Sequence, residues 1–236
     1  ISRYDYWKRM EFSLEQWHEI KKHCDDVGLE FICSPFSNMA VDWLIELNVQ
    51  KYKVGSGEVG NFLMLEKIAK TRKPIILSSG MSSLNEIQST LDFLKNYKND
   101  ISLLQCTTTY PTPPEKWGLQ MIPLMKSKFN IPIGFSDHSS NIASCLAATA
   151  LGAEILEFHA VFDKKMFGPD AKASLTISEI NLLVKNVHLI RKSLNSKYDK
   201  NDISIYEENK ILFGKSLCVN KNLSENHQLT FDDLES

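Results

Sequence analysis

Short apolar runs of strand type recur along the chain at residues 31–36 (FICSPF), 51–56 (KYKVGS), 74–79 (PIILSS), 101–107 (ISLLQCT), 131–137 (IPIGFSD) and 155–161 (ILEFHAV). Between them apolar positions return every three or four residues. This predicts helices over 40–47, 63–71, 84–96, 142–151 and 177–194, the last opened by the cap-like Thr176-Ile177-Ser178-Glu179. A further helix over about residues 13–27 precedes the first strand. Strand starts fall 20 to 30 residues apart, the length of a right-handed crossover unit, so the expected sheet is parallel with its helices outside. The expectation is an α/β fold of the (β/α)8 TIM-barrel kind. A complete barrel needs two more strands, and the first run is preceded only by a helix, so the first two strands are expected to be lacking. After Asn195 the chain turns polar and rich in Asn and Lys, with one apolar alternation at Ser216-Leu217-Cys218-Val219. Residues 1–195 therefore read as a partial barrel domain, and 196–236 as a linker and the start of a truncated C-terminal domain.

Composition narrows the function classes. With 27 Lys+Arg against 29 Asp+Glu in 236 residues, net charge −2, and scattered lysines, the chain has no basic field for a phosphate backbone, which argues against nucleic acid. No run of about 18 apolar residues crosses a membrane, and ISRYDYWKRM is not a signal peptide. Five cysteines without a CxxC spacing suit reduced thiols and a cytoplasmic setting.

The chemistry sits where the strands end. Each run finishes in small polar or ionisable residues: Ser34; Lys53, Ser56 and Glu58; Ser78 and Ser79; Thr107 and Thr108; Ser136, Asp137 and His138; Glu157 and His159. In a barrel these ends converge on one rim. Lys53, flanked by Tyr52 and Val54, either snorkels or points inwards at an anion, and the hydroxyls of Ser34, Ser56, Ser78 and Ser136 make phosphate the fitting guest. A surface lysine on an edge strand is the plainer alternative. His138 and His159 end consecutive strands and could share a cation. Two protein ligands leave an open site, which suits Mn²⁺ or Mg²⁺ Lewis-acid chemistry. A hydrogen-bonded structural role stands as the alternative for each histidine, and His18, His23, His188 and His227 fall outside the pattern. Glu58 and Asp170, the latter after Gly168-Pro169, are candidates for binding hydroxyls or shuttling protons, although Gly-Pro-Asp is also an ordinary turn. Tyr110, before Pro111-Thr112-Pro113-Pro114, stands in a fixed loop on the same rim and could wall the substrate.

These segments resemble the sialic acid synthases, including the legionaminate and pseudaminate synthases. The matching stretches are Ser34-Pro35-Phe36-Ser37, Tyr52 to Glu58, Leu77-Ser78-Ser79-Gly80-Met81, Cys106 to Pro113, Gly134 to Ser139, and Gly168-Pro169-Asp170, in that order. The resemblance implies condensation of phosphoenolpyruvate with an N-acetylated amino sugar. Lys53, Ser34, Ser56, Ser78, Thr108 and Ser136 would hold phosphoenolpyruvate, His138 and His159 the divalent metal, Mn²⁺ or Mg²⁺, and Glu58, Tyr110 and Asp170 the sugar, with Lys53, Glu58 and Asp170 as the catalytic set. It also implies a head-to-tail homodimer and a C-terminal antifreeze-like (SAF) domain, whose absence beyond Ser236 would leave this chain inactive alone. Thr108, Phe158, Phe167 and Ala171 depart from the usual residues on the sugar side and leave the acceptor open among N-acetylmannosamine and diacetamido sugars.

Two rival readings remain. The octulosonate and heptulosonate phosphate synthases share donor and barrel but demand rim cations for a phosphorylated acceptor, and Arg3, Arg9, Arg72 and Arg191 lie at no strand end. A barrel without catalysis would be expected to have lost the rim residues.

Overall fold

In the computed structural model, which describes residues 2–236, the chain divides into two compact units, Ile1–Leu194 and Asn195–Ser236. The first runs α1 (Arg3–Lys8), α2 (Leu14–Asp26), α3 (Asn38–Glu46), β1 (Tyr52–Val54), α4 (Phe62–Ala69), β2 (Ile75–Ser78), α5 (Leu84–Leu94), β3 (Ile101–Cys106), α6 (Met121–Phe129), β4 (Ile133–Asp137), α7 (Ile142–Ala150), β5 (Leu156–Phe158), β6 (Ala160–Val161), β7 (Leu175–Thr176) and α8 (Ile177–Leu194). Capping chemistry starts the helices where the sequence offers it. Ser13 and Gln16 close a capping box on α2, Ser83 and Glu86 one on α5, and Thr176 with Glu179 does the same for α8.

Strands β1 to β5 form one parallel sheet in sequential order. Its register puts Lys53 beside Ile76, and Cys106 beside Ser136 and Glu157 in turn. Side chains alternate across a strand. Tyr52, Val54, Leu77, Leu103, Ile133 and Phe135 therefore share the face that packs into one core with α3 to α8. Lys53, Ser78, Cys106, Ser136 and Glu157 share the other face. On a flat sheet β1 and β5 would stand about 19 Å apart, yet Lys53 Nζ of β1 lies 3.4 Å from Glu157 Oε1 of β5. The sheet must curl into a half barrel with those residues on its concave side. Gly134 serves this curl, since a Cβ there would stand 2.6 Å from the Ile155 carbonyl oxygen and overlap Leu104.

Two strand expectations need correction. Residues 31–36 contribute only a single bridge, Cys33 to Tyr52, because Pro35 has no N–H to give a ladder and Ser37 turns the chain into α3. The run 155–161 splits: β5 joins the main sheet, whereas β6 pairs with β7 in a separate ribbon. α1 and α6 lie outside the expected helices; α6 carries Pro123 in its first turn, where the missing N–H has no intrahelical partner to lose.

The second unit contains α9 (Glu207–Phe213) and an antiparallel pair, β8 (Cys218–Val219) with β9 (Leu234–Glu235). Buried Asp233 organises it, bound by Lys221 Nζ at 2.6 Å, His227 Nε2 at 2.8 Å and the Thr230 N–H at 2.8 Å. Among the described residues no helix is long and apolar enough to cross a membrane.

Candidate active site

The concave face of the half barrel carries a linked polar cluster at the C-terminal ends of β1, β2, β4 and β5. Lys53 is 8% exposed, and its ammonium donates to Ser78 Oγ at 2.7 Å. Ser136 Oγ donates to Glu157 Oε1 at 2.7 Å, the same oxygen that faces Lys53. The lysine therefore points inwards and does not snorkel. Ser34, beyond the Cys33 bridge, lines a cavity of about 350 Å³ together with Ile32, Lys53, Ile76, Glu157 and Phe158. That volume suits a small anionic molecule.

Above this floor the loops after β1, β2 and β3 meet. Ser56, opening a single 3₁₀ turn, accepts the Gly80 N–H at 2.9 Å and lies 3.6 Å from Cys106 Sγ. Thr108 closes over the same point. A Cβ on Gly80 would stand 2.5 Å from Thr108 Oγ1 and 2.8 Å from both Cys106 Sγ and Ser56 Oγ, so only glycine lets the three side chains converge. Burial pushes the Cys106 thiol above its ordinary range.

The two histidines stand together, with ring centroids 5.1 Å apart, and Tyr110 stacks on them at 4.2 Å from His138 and 5.8 Å from His159. His138 Nδ1 lies 3.1 Å from the Thr107 carbonyl oxygen. A carbonyl only accepts, so Nδ1 carries the proton and Nε2 keeps its lone pair. Burial lowers the His138 pKa, which favours this neutral form. A carbonyl that accepts from one ring nitrogen is the usual companion of ligation through the other. Among the described residues no three His, Cys, Asp or Glu side chains surround one ion position. The two adjoining rings, with the His138 Nε2 lone pair unprotonated, are the residues that could hold an ion here.

The carboxylates divide. Asp137, next to His138, alternates outwards: its oxygens accept from Ser144 Oγ at 2.7 Å and from the Ser139 N–H at 3.1 Å, so it braces the start of α7. Glu58 is half-buried and accepts from Asn61 Nδ2 at 2.7 Å. Asp170 is also half-buried; burial, with Cys106, Asp170 and Glu157 as lesser causes, raises the Tyr110 phenol.

The chain matches the model of the NeuB family over residues 1–199. It belongs to that family. Its NeuB relatives include the N-acetylneuraminate-9-phosphate synthase of Homo sapiens, 40% identical over 81% of this chain and 54% of that protein. The N,N'-diacetyllegionaminic acid synthase of Campylobacter jejuni is 38% identical over 92% of this chain and 66% of that protein. The chain thus spans between about half and two thirds of the length of these relatives. Among solved structures, the N-acetylneuraminic acid synthetase of Leptospira borgpetersenii in complex with citrate superposes with a TM-score of 0.80 at 30% identity, covering 89% of this chain and 74% of that one.

Two members of the cluster had no role assigned from sequence. The sequence marks Glu157 only as a polar strand end, and Cys106 only as the start of the stretch Cys106 to Pro113. Alternation along β4 and β5 would have found Glu157, since the residue beside Ser136 must share its face. Gly80 is marked in the sequence only as part of the stretch Leu77 to Met81; its importance comes from three side chains remote in sequence. A larger cavity of about 570 Å³, mostly apolar and lined by Trp7, Trp17, Phe36 and Trp43, shares Ser34 with the candidate site.

Proposed function

We propose that the protein condenses phosphoenolpyruvate with an N-acetylated amino sugar, N-acetylmannosamine or a diacetamido relative, to give a nonulosonic acid and phosphate. The observation that carries this reading is the buried Lys53 ammonium, held by Ser78 and Glu157, together with the adjoining rings of His138 and His159 in a NeuB family member. Lys53 supplies charge for the donor's anionic groups, and Ser34, Ser56, Ser78, Thr108 and Ser136 supply hydroxyl donors around it. Tyr110 walls the acceptor, and Glu58 and Asp170 accept hydrogen bonds from its hydroxyl and amide groups. His138 and His159 would hold a divalent ion, Mn²⁺ or Mg²⁺, which when bound would supply Lewis-acid polarisation of the acceptor's carbonyl. Donor C3 bonds to acceptor C1, the oxygen of a water molecule adds at donor C2, and the C2–O bond to phosphate breaks. The aldehyde oxygen and the departing phosphate take up the protons. Catalysis by this chain's residues is then positioning and charge stabilisation.

The same reading takes residues 1–195 as catalytic (β/α)8-barrel sequence, and 196–236 as linker and antifreeze-like sequence. Its setting is the cytoplasm and its working form a homodimer. Placement of every arginine away from the strand ends supports an acceptor without phosphate. The test is phosphate release by the full-length protein from phosphoenolpyruvate with Mn²⁺ and a panel of acetamido sugars. Release with one sugar, lowered more than about 100-fold in both Lys53→Ala and His138→Ala, is the expected result. No release with any sugar would move the reading to a sugar-phosphate synthase or a barrel without catalysis.

A further inference from the structure

Lys53 is the cation of the donor site, yet the free chain has already given it an anion. Glu157 Oε1 stands 3.4 Å from its ammonium, held there by the Ser136 hydroxyl at 2.7 Å, while Ser78 takes the ammonium from the other side at 2.7 Å. The lysine side chain is only 10% exposed, but that of Glu157 is 40% exposed and lines the cavity. One partner is fixed in the wall and the other is open to the cavity. A buried ammonium without a counter-charge is costly, so an empty site needs such a partner. A donor with several negative charges meets the same carboxylate as a like charge at close range.

We propose that Glu157 is an internal counter-anion, a positioning residue that holds Lys53 in place in the empty site and yields it when the donor's anionic group arrives. The inference rests on the reading of Lys53 as the donor-binding cation. Binding then exchanges one anion for another at the lysine, and the carboxylate lowers donor affinity while it supports the fold.

This split between affinity and stability is what an experiment can read. Calorimetric titration with phosphoenolpyruvate and with inorganic phosphate, in EDTA so that no metal contributes, is compared for the unmodified protein, Glu157→Gln, Lys53→Met and the double variant, with the melting temperature of each. The glutamine keeps an oxygen for Ser136 but loses the charge. Expected for Glu157→Gln are a lower melting temperature and affinity for both anions raised about five- to thirty-fold, a gain that disappears in the Lys53→Met background. Equal or weaker binding by Glu157→Gln, or a gain that survives without Lys53, overturns the inference. Should Glu157→Gln not fold, Glu157→Asp keeps the charge but shortens its reach; tighter binding supports the inference, and unchanged or weaker binding overturns it. If neither anion binds the unmodified protein and Lys53→Met is no different, the donor-site reading falls together with this one. Binding abolished by Lys53→Met and indifferent to Glu157 would sink this inference alone.

Discussion

At the scale of single residues, the site depends on small groups in crowded places. Gly80 is the sharpest case, because its hydrogen atom occupies the space where Ser56, Cys106 and Thr108 converge. Gly80→Ala should force those side chains apart, costing about 1–3 kcal/mol of stability and weakening phosphoenolpyruvate binding at least about tenfold. Denaturant unfolding and calorimetry check the two effects, and an alanine variant with unchanged affinity would remove Thr108 and Ser56 from the donor site. Asp137 makes the opposite point. It adjoins a candidate metal ligand, yet its hydrogen bonds all run to Ser139 and Ser144. Ser144→Ala should cost about 1–3 kcal/mol by leaving a buried carboxylate oxygen unpaired, an effect read in denaturant unfolding.

Among the elements, the β8–β9 pair shows how a very short ribbon is held. Two residues a side cannot sustain a hairpin, and Asp233 supplies what the ladder lacks. Its hydrogen bonds from Lys221, His227 and Thr230, in that order of weight for the first two, hold the carboxyl well below the ordinary carboxylate range. The folded pKa is depressed, so the charge contributes stability that is present above the ordinary value of about 3.9 and is lost as pH falls through the lower folded value. Followed by NMR, the Thr230 amide should show no step near the ordinary carboxylate value on acidification, only one at lower pH. A step at the ordinary value would mean that the clamp is absent in solution. The Asp233→Ala variant should lose the slow exchange of that amide. Elements α5 and α8 needed no such device, because capping boxes and a long apolar face define them locally.

For the whole molecule, the exposed stretch after α8 marks the division of the chain. Residues 191–200 are all exposed, and Lys197 and Lys200 offer cleavage points. Limited proteolysis with a lysine-specific protease should cut there first, and mass spectrometry identifies the product; an earlier cut between Tyr52 and Phe158 would contradict the packing of the parallel sheet. Apolar periodicity, caps and strand-end polarity were enough to read an alternating α/β chain, its long α8 and the rim residues Lys53, Ser78, Ser136, His138 and His159, because all of these are consequences of short-range pattern. What lay beyond the sequence was long-range. That residues 31–36 yield one bridge and 155–161 two separate strands depends on which backbone groups find a neighbour. That Lys53 reaches Glu157, 104 positions away, depends on the curl of five twisted strands. Local pattern specifies which face a side chain takes; only the curl of the sheet decides which other side chain it meets there.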